Sequence, residues 1–211
     1  PFGNIAHGCN TIIATKAALK MSDYVVTEAG FGADLGAEKF LDIKCRKANL
    51  APDAAVLVVT IRALKMHGGV DKENLNKENV EAVKKGSENL LKHIENLKKY
   101  GLPIVVAINA FVTDTKAEMD IVKKVCEKVD INAVVSEHWE KGSNGAVDLA
   151  NNVVKTLEKE ESNFKVLYDD NLSLENKINK VASEIYGAKG LEISASARKQ
   201  LKDLENTEYE K

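Results

Sequence analysis

Cysteine is scarce in this chain: three residues, at positions 9, 45 and 126, with no C-x-x-C pair. That count and spacing exclude a disulfide framework or a zinc site, and favour three buried thiols in a reducing cytosol. Long apolar runs are missing as well, so no stretch approaches the roughly 18 residues of a membrane-spanning helix. Excess charge of either sign is absent: 30 basic and 32 acidic side chains leave a net charge of -2. Bulk electrostatics therefore give no reason to expect nucleic acid or an anionic membrane as partner. No secretory leader is visible. The four histidines, His7, His67, His93 and His138, show no metal-ligand spacing, and no metal site is expected.

What is present is the material of one large or two small globular domains, 211 residues with 44% apolar content. Four short β-branched runs, 23–30, 53–62, 103–110 and 131–138, read as strands buried on both faces. Between and after them come one-sided apolar stripes over 77–99, 115–129 and 145–157, which predict helices. Strand alternating with helix predicts an α/β fold, a mainly parallel sheet with flanking helices and right-handed crossovers. Asp114 or Thr115 is expected to cap a helix with Glu118 reaching back, and Gly101 with Pro103 to end one element and begin the next. After about residue 160 the pattern changes. Short strand candidates at 164–170 and 191–194 alternate with helices at 173–188 and 196–209, giving a smaller α/β C-terminal subdomain. The expected division is therefore 1–160 and 161–211.

Ligands of open α/β sheets sit at the carboxyl ends of the strands. The loops "EAGFGADLG", "NAFVTDT" and "SEHWEKGSNG" fall at such ends, are expected to share one rim, and each carries an aromatic residue, Phe31, Phe111 or Trp139. Aromatics in glycine-bearing loops are costly to expose, which points either to satellite packing or to the wall of a site for a flat ligand. Gly30, Gly32 and Gly36 form G-x-G-x-x-x-G, one residue longer than the dinucleotide fingerprint, and no acid follows at a strand's end. A nicotinamide dehydrogenase is disfavoured on that count. The glycines instead read as a loop whose backbone approaches a ligand, with Glu28 and Asp34 offering carboxylates. No G-x-x-x-x-G-K-[ST] occurs, so the chain carries no P-loop.

The strings "PFGNIAHGCNTIIATKAALKMSDYVVTEAGFGADLGAEKFLDIKCRK", "PDAAVLVVTIRALKMHGGV", "VVAINAFVTDT" and "SEHWEKG" closely resemble formate:tetrahydrofolate ligases, also called 10-formyltetrahydrofolate synthetases. The resemblance implies formation of 10-formyltetrahydrofolate from formate, tetrahydrofolate and ATP through formyl phosphate, with ATP/Mg and tetrahydrofolate as substrates. It further implies a cytoplasmic homotetramer acting on small molecules. Phe31 and Trp139 would hold the folate ring, with Phe111 in the same pocket and Glu28, Gly30, Gly32 and Asp34 nearby. Val112 stands where many members have proline, which bears on the stiffness of that loop. The family's P-loop lies ahead of these residues, so the chain reads as an internal or C-terminal fragment, inactive alone, that supplies the folate half of the site. The competing expectation is a catalytically silent domain retained for oligomerisation.

Overall fold

The computed structural model describes residues 8–205 and Thr207; His7 lies outside them. The chain divides into two units, one of residues 52–164 and one made of 1–51 together with 165–211.

In the 1–51 segment, helix α1 (Ile12–Met21) is capped by Thr11 and is followed by an extended stretch to Ala29. Helix α2 (Ala33–Glu38) runs on through a π-helical stretch, Lys39–Cys45, into a last α turn, α3 (Arg46–Ala48). The other unit opens with β1 (Ala55–Val59), α4 (Ile61–His67) and the long helix α5 (Val80–Lys99). It continues with β2 (Ile104–Asn109), α6 (Lys116–Glu127), β3 (Asn132–Ser136), the short α7 (His138–Lys141) and α8 (Val147–Lys159). Residues 165–205 return to the first unit and carry α9 (Leu174–Glu184) and α10 (Ala195–Leu204).

The three strands form one parallel sheet in the order β1-β2-β3, as the alternation of strand and helix predicts. The central strand is apolar from Ile104 to Ile108 and buried over that whole length, whereas edge strand β1 buries Leu57 and Val59 and exposes Val56 and Val58. A strand covered on both faces reads as a continuous apolar run, and one covered on a single face alternates. The expected helix signals are also in place. Thr115 Oγ1 accepts from Glu118 N while Glu118 Oε2 accepts from Thr115 N, a complete capping box, and Gly101 takes φ +73° directly after the C-cap Tyr100. Cys9, Cys45 and Cys126 are all buried free thiols, and burial pushes Cys45 up to about 12 and Cys126 to about 11.

Three expected strands are not formed. Residues 23–28 carry no ladder, and only Ala29 makes an isolated antiparallel bridge, to Cys9. The β-branched run predicts a buried strand, yet Val26 is 92% exposed and no strand among the described residues pairs with it. Residues 164–170 and 191–194 are irregular as well, and in the first segment the polar groups bond to residues of the α2–α3 stretch instead of to a strand. Leu167 N donates 2.7 Å to Asp42 Oδ1, and Arg46 donates through Nη2 to Tyr168 O at 2.6 Å and pairs through Nη1 with Asp170 at 3.0 Å. The guanidinium also lies 4.7 Å from the centre of the Tyr168 ring. Burial first, then the nearby Asp42 and Glu38 carboxylates, push the Tyr168 hydroxyl up to about 12. Asp42 is 1% exposed, so Asp42→Ala leaves the Leu167 N–H short of its acceptor and removes the 3.7 Å ion pair with Arg46, at a cost of about 2 kcal/mol. Hydrogen exchange localised to 165–170 is the measurement, and unchanged protection there would contradict this anchoring.

Candidate functional site

The carboxyl end of β2 leads into a tight loop, 110–115. Ala110 N donates to Ser136 O at 3.0 Å, which ties the loop's first residue to the end of β3. Phe111 N donates to Asp114 Oδ2 at 2.9 Å, and Asp114 N returns a bond to Phe111 O at 2.9 Å. This reciprocal pair closes a turn with Val112 at its exposed tip, 78% accessible. Burial raises the Asp114 carboxyl above its ordinary value, against the lowering effect of the Phe111 N–H and Lys65.

The carboxyl end of β3 leads into α7. Ser136 Oγ lies 2.9 Å from His138 Nδ1, Lys141 pairs with Glu137 at 2.7 Å, and Glu137 N donates to Gly145 O at 3.0 Å, so the loop folds back on itself. The two loops present their aromatics to each other. Phe111 and Trp139 have ring centroids 6.5 Å apart at an interplanar angle of 43°, an attractive tilted arrangement, while Trp139 remains 71% exposed. In the same β2 end and loop, Asn109 Oδ1 and Asp114 Oδ1 are buried with no hydrogen-bond partner among the described residues. The arrangement joins an aromatic surface open to solvent with acceptor oxygens suited to N–H donors.

Glu28, Gly30, Phe31, Gly32 and Asp34 belong to the other unit. Gly30 N donates to Gly8 O at 2.9 Å, and a Cβ on Gly36 would come within 1.8 Å of Gly30 O. Backbone packed against backbone thus accounts for Gly30 and Gly36, whereas a Cβ on Gly32 would meet only the Asp34 side chain. Phe31 holds φ +71°, costly for an aromatic residue, with its ring 66% exposed and the Lys39 ammonium 5.1 Å from its centre. Tyr186 hydrogen-bonds Asp34; burial first, then the Asp34 charge and that bond, raise the tyrosine hydroxyl. Glu28 forms no ion pair or side-chain hydrogen bond among the described residues.

Sequence reasoning missed Lys65 and saw Glu118 only as a cap. The two side chains are fully buried and meet at 2.9 Å. Lys65 lies four residues after the buried Ile61, on the inward stripe of α4, and that register was the available signal. Among the described residues no group of three or more His, Cys, Asp or Glu side chains is placed to hold a metal ion, and no helix is long and apolar enough to cross a membrane. A groove of about 390 Å³ lies on α5 and α6 and includes none of the residues named above.

A three-stranded parallel sheet flanked by helices, with aromatic-bearing loops at its carboxyl edge, defines an α/β protein. The family model for formate–tetrahydrofolate ligase matches residues 1–211, and the chain belongs to that family.

Proposed function

We propose that the chain provides the folate-binding part of a ligase that makes 10-formyltetrahydrofolate from formate and tetrahydrofolate, with ATP consumed through a formyl phosphate intermediate. The observation that carries this reading is the Phe111–Trp139 pair, a half-buried and an exposed ring from separate strand-end loops, placed to suit a planar heterocycle. A ring that served only the core would not stand 71% exposed at a strand's carboxyl end. The loop with Glu28, Gly30, Phe31, Gly32 and Asp34 is proposed to add ligand contacts of its own, supported by the strained and exposed Phe31. The pure 211-residue chain contains no ATP-cradling P-loop motif, so binding without turnover is the expected behaviour. A cytoplasmic homotetramer with ATP/Mg is the corresponding proposal for the active assembly.

Trp139 is the sole tryptophan, so tetrahydrofolate added anaerobically should quench its emission saturably. Each stacked ring contributes on the order of 0.5–1.5 kcal/mol beyond area burial, so Phe111→Ala should weaken binding by roughly tenfold. Calorimetry reads the same loss for Trp139→Ala. Parent-like affinity in Trp139→Ala, with a melting temperature lowered by many degrees, would make the tryptophan a packing residue and remove the site.

A further inference from the structure

Beneath the Phe111 loop lies a charged centre that the stacking surface does not itself use. Glu118 accepts from three directions: Lys65 Nζ and Asn79 N at 2.9 Å on Oε1, and Thr115 N at 3.1 Å on Oε2. Lys65 Nζ also donates to Lys77 O at 3.1 Å. One carboxylate therefore joins α4, the chain entering α5, and the junction between the Phe111 turn and α6. Asn79 in turn caps α5 by accepting from Ala82 N at 2.9 Å. Both charged side chains are 0% exposed, so neither bond exchanges with water at little cost.

The reach of this centre to the aromatic pair is short. Thr115 is held by Glu118; its neighbour Asp114 holds the Phe111 backbone through Oδ2 at 2.9 Å. Val112 at the turn's tip has no packing to fix it, being 78% exposed, and the turn contains no proline. The loop is thus fastened at its two ends, to Ser136 O through Ala110 and to Glu118 through Thr115. Only the second fastening is charge-assisted, and such bonds are roughly twice as strong as neutral ones.

We infer that Glu118, itself held by Lys65, is a positioning residue for Phe111: it fixes the loop's exit and thereby presents the ring for stacking. The inference rests on the folate reading above and extends it to a residue that never meets the ligand. A polar centre of this kind sets geometry for another group, and a misplacement on the order of 1 Å is enough to weaken a contact surface.

The test compares two cap deletions of equal chemistry. Thr115→Ala removes the hydroxyl that accepts from Glu118 N at 3.3 Å and loosens the loop–α6 junction; Ser194→Ala removes the matching α10 cap, which accepts from Ala197 N at 3.2 Å in the other unit. Cap losses of this type leave proteins folded. Tetrahydrofolate is titrated against Trp139 emission at matched temperature below both melting points. Thr115→Ala should weaken binding by roughly threefold to tenfold, and Ser194→Ala by less than about twofold, although both lower Tm similarly. Glu118→Gln, which offers one acceptor oxygen for two backbone donors, should weaken binding further wherever it folds. Equal affinities in parent, Thr115→Ala and Ser194→Ala would overturn the positioning role while leaving the folate site intact. Absence of quenching in the parent would instead remove the folate reading, and this inference with it.

Discussion

Replacing Gly86 by alanine should lower the melting temperature by on the order of 10 °C, even though alanine is the better helix former by about 1 kcal/mol in a helix interior. Gly86 sits in the middle of α5, where glycine is otherwise a liability. A Cβ there would lie 1.9 Å from Leu64 O, 2.7 Å from its carbonyl carbon and 3.0 Å from Gly68 N. All three neighbours are backbone atoms of the α4 turn, so no side-chain rotation relieves the contact. The helices have to separate, and Leu64, Val83 and Leu90, each at most 3% exposed, lose their packing together. Overpacking costs about 1–3 kcal/mol where side chains can adjust, and this rigid crossing belongs at or above the upper end. The crossing is tight from both sides, since a Cβ on Gly68 would meet Ala82 O at 2.1 Å. Gly190→Ala, with nothing within 4 Å of its Cβ, is the control and should be nearly neutral. If Gly86→Ala melts at or above the parent temperature, α4 and α5 do not cross this closely.

The same glycine shows where the sequence stops being informative. Val83, Leu90, Ile94 and Leu97 announce the buried stripe of α5 by their spacing, and the structure buries all four. Gly86 falls on that stripe, but nothing in a periodicity distinguishes a glycine that admits another helix from one that is merely tolerated. β2 was legible because a strand covered on both faces has no polar positions to confuse the reading. The run at 23–30 has a β-branched centre too and forms no ladder, because a strand is completed by a partner and composition carries no information about one. The aromatic pair was legible as far as residue type: a phenylalanine and the only tryptophan, each just past a strand. That these two rings meet at 6.5 Å depends on the parallel register of β2 with β3, Asn109 opposite Ser136, which is a tertiary fact. Lys65 was the least visible, since a lysine in an amphipathic helix ordinarily reads as its solvated face, and only the buried carboxylate of Glu118 accounts for it.

Lys65→Met is expected to cost about 3–5 kcal/mol at neutral pH, because it leaves the Glu118 carboxylate buried without its counter-ion. The pH dependence of that deficit identifies the cause. In the parent, burial alone would raise the Glu118 carboxyl, but bonds from Asn79 N–H, the Lys65 ammonium and Thr115 N–H outweigh it and hold the group below its ordinary value. A carboxyl depressed on folding contributes stability that is complete above the unfolded value of about 4.3 and is lost as pH falls through the lower folded value. Removing the ammonium lets burial dominate, so in Lys65→Met the folded value should rise above the unfolded one. The sign then reverses: the charged carboxylate destabilises the variant at neutral pH, and protonation relieves it as the solution is acidified. Urea denaturation at pH 7 and again near pH 4 should therefore show a deficit that narrows in acid. Adding Glu118→Gln to Lys65→Met should recover part of the neutral-pH loss, since it deletes the unpaired charge while keeping the side chain's shape. Recovery of stability in that double variant need not restore tetrahydrofolate affinity, because the amide still presents one acceptor oxygen to the N–H groups of Asn79 and Thr115. A deficit equal at both pH values would mean that the loss comes from the pH-independent bond of Lys65 Nζ to Lys77 O, and the ion pair would contribute nothing net.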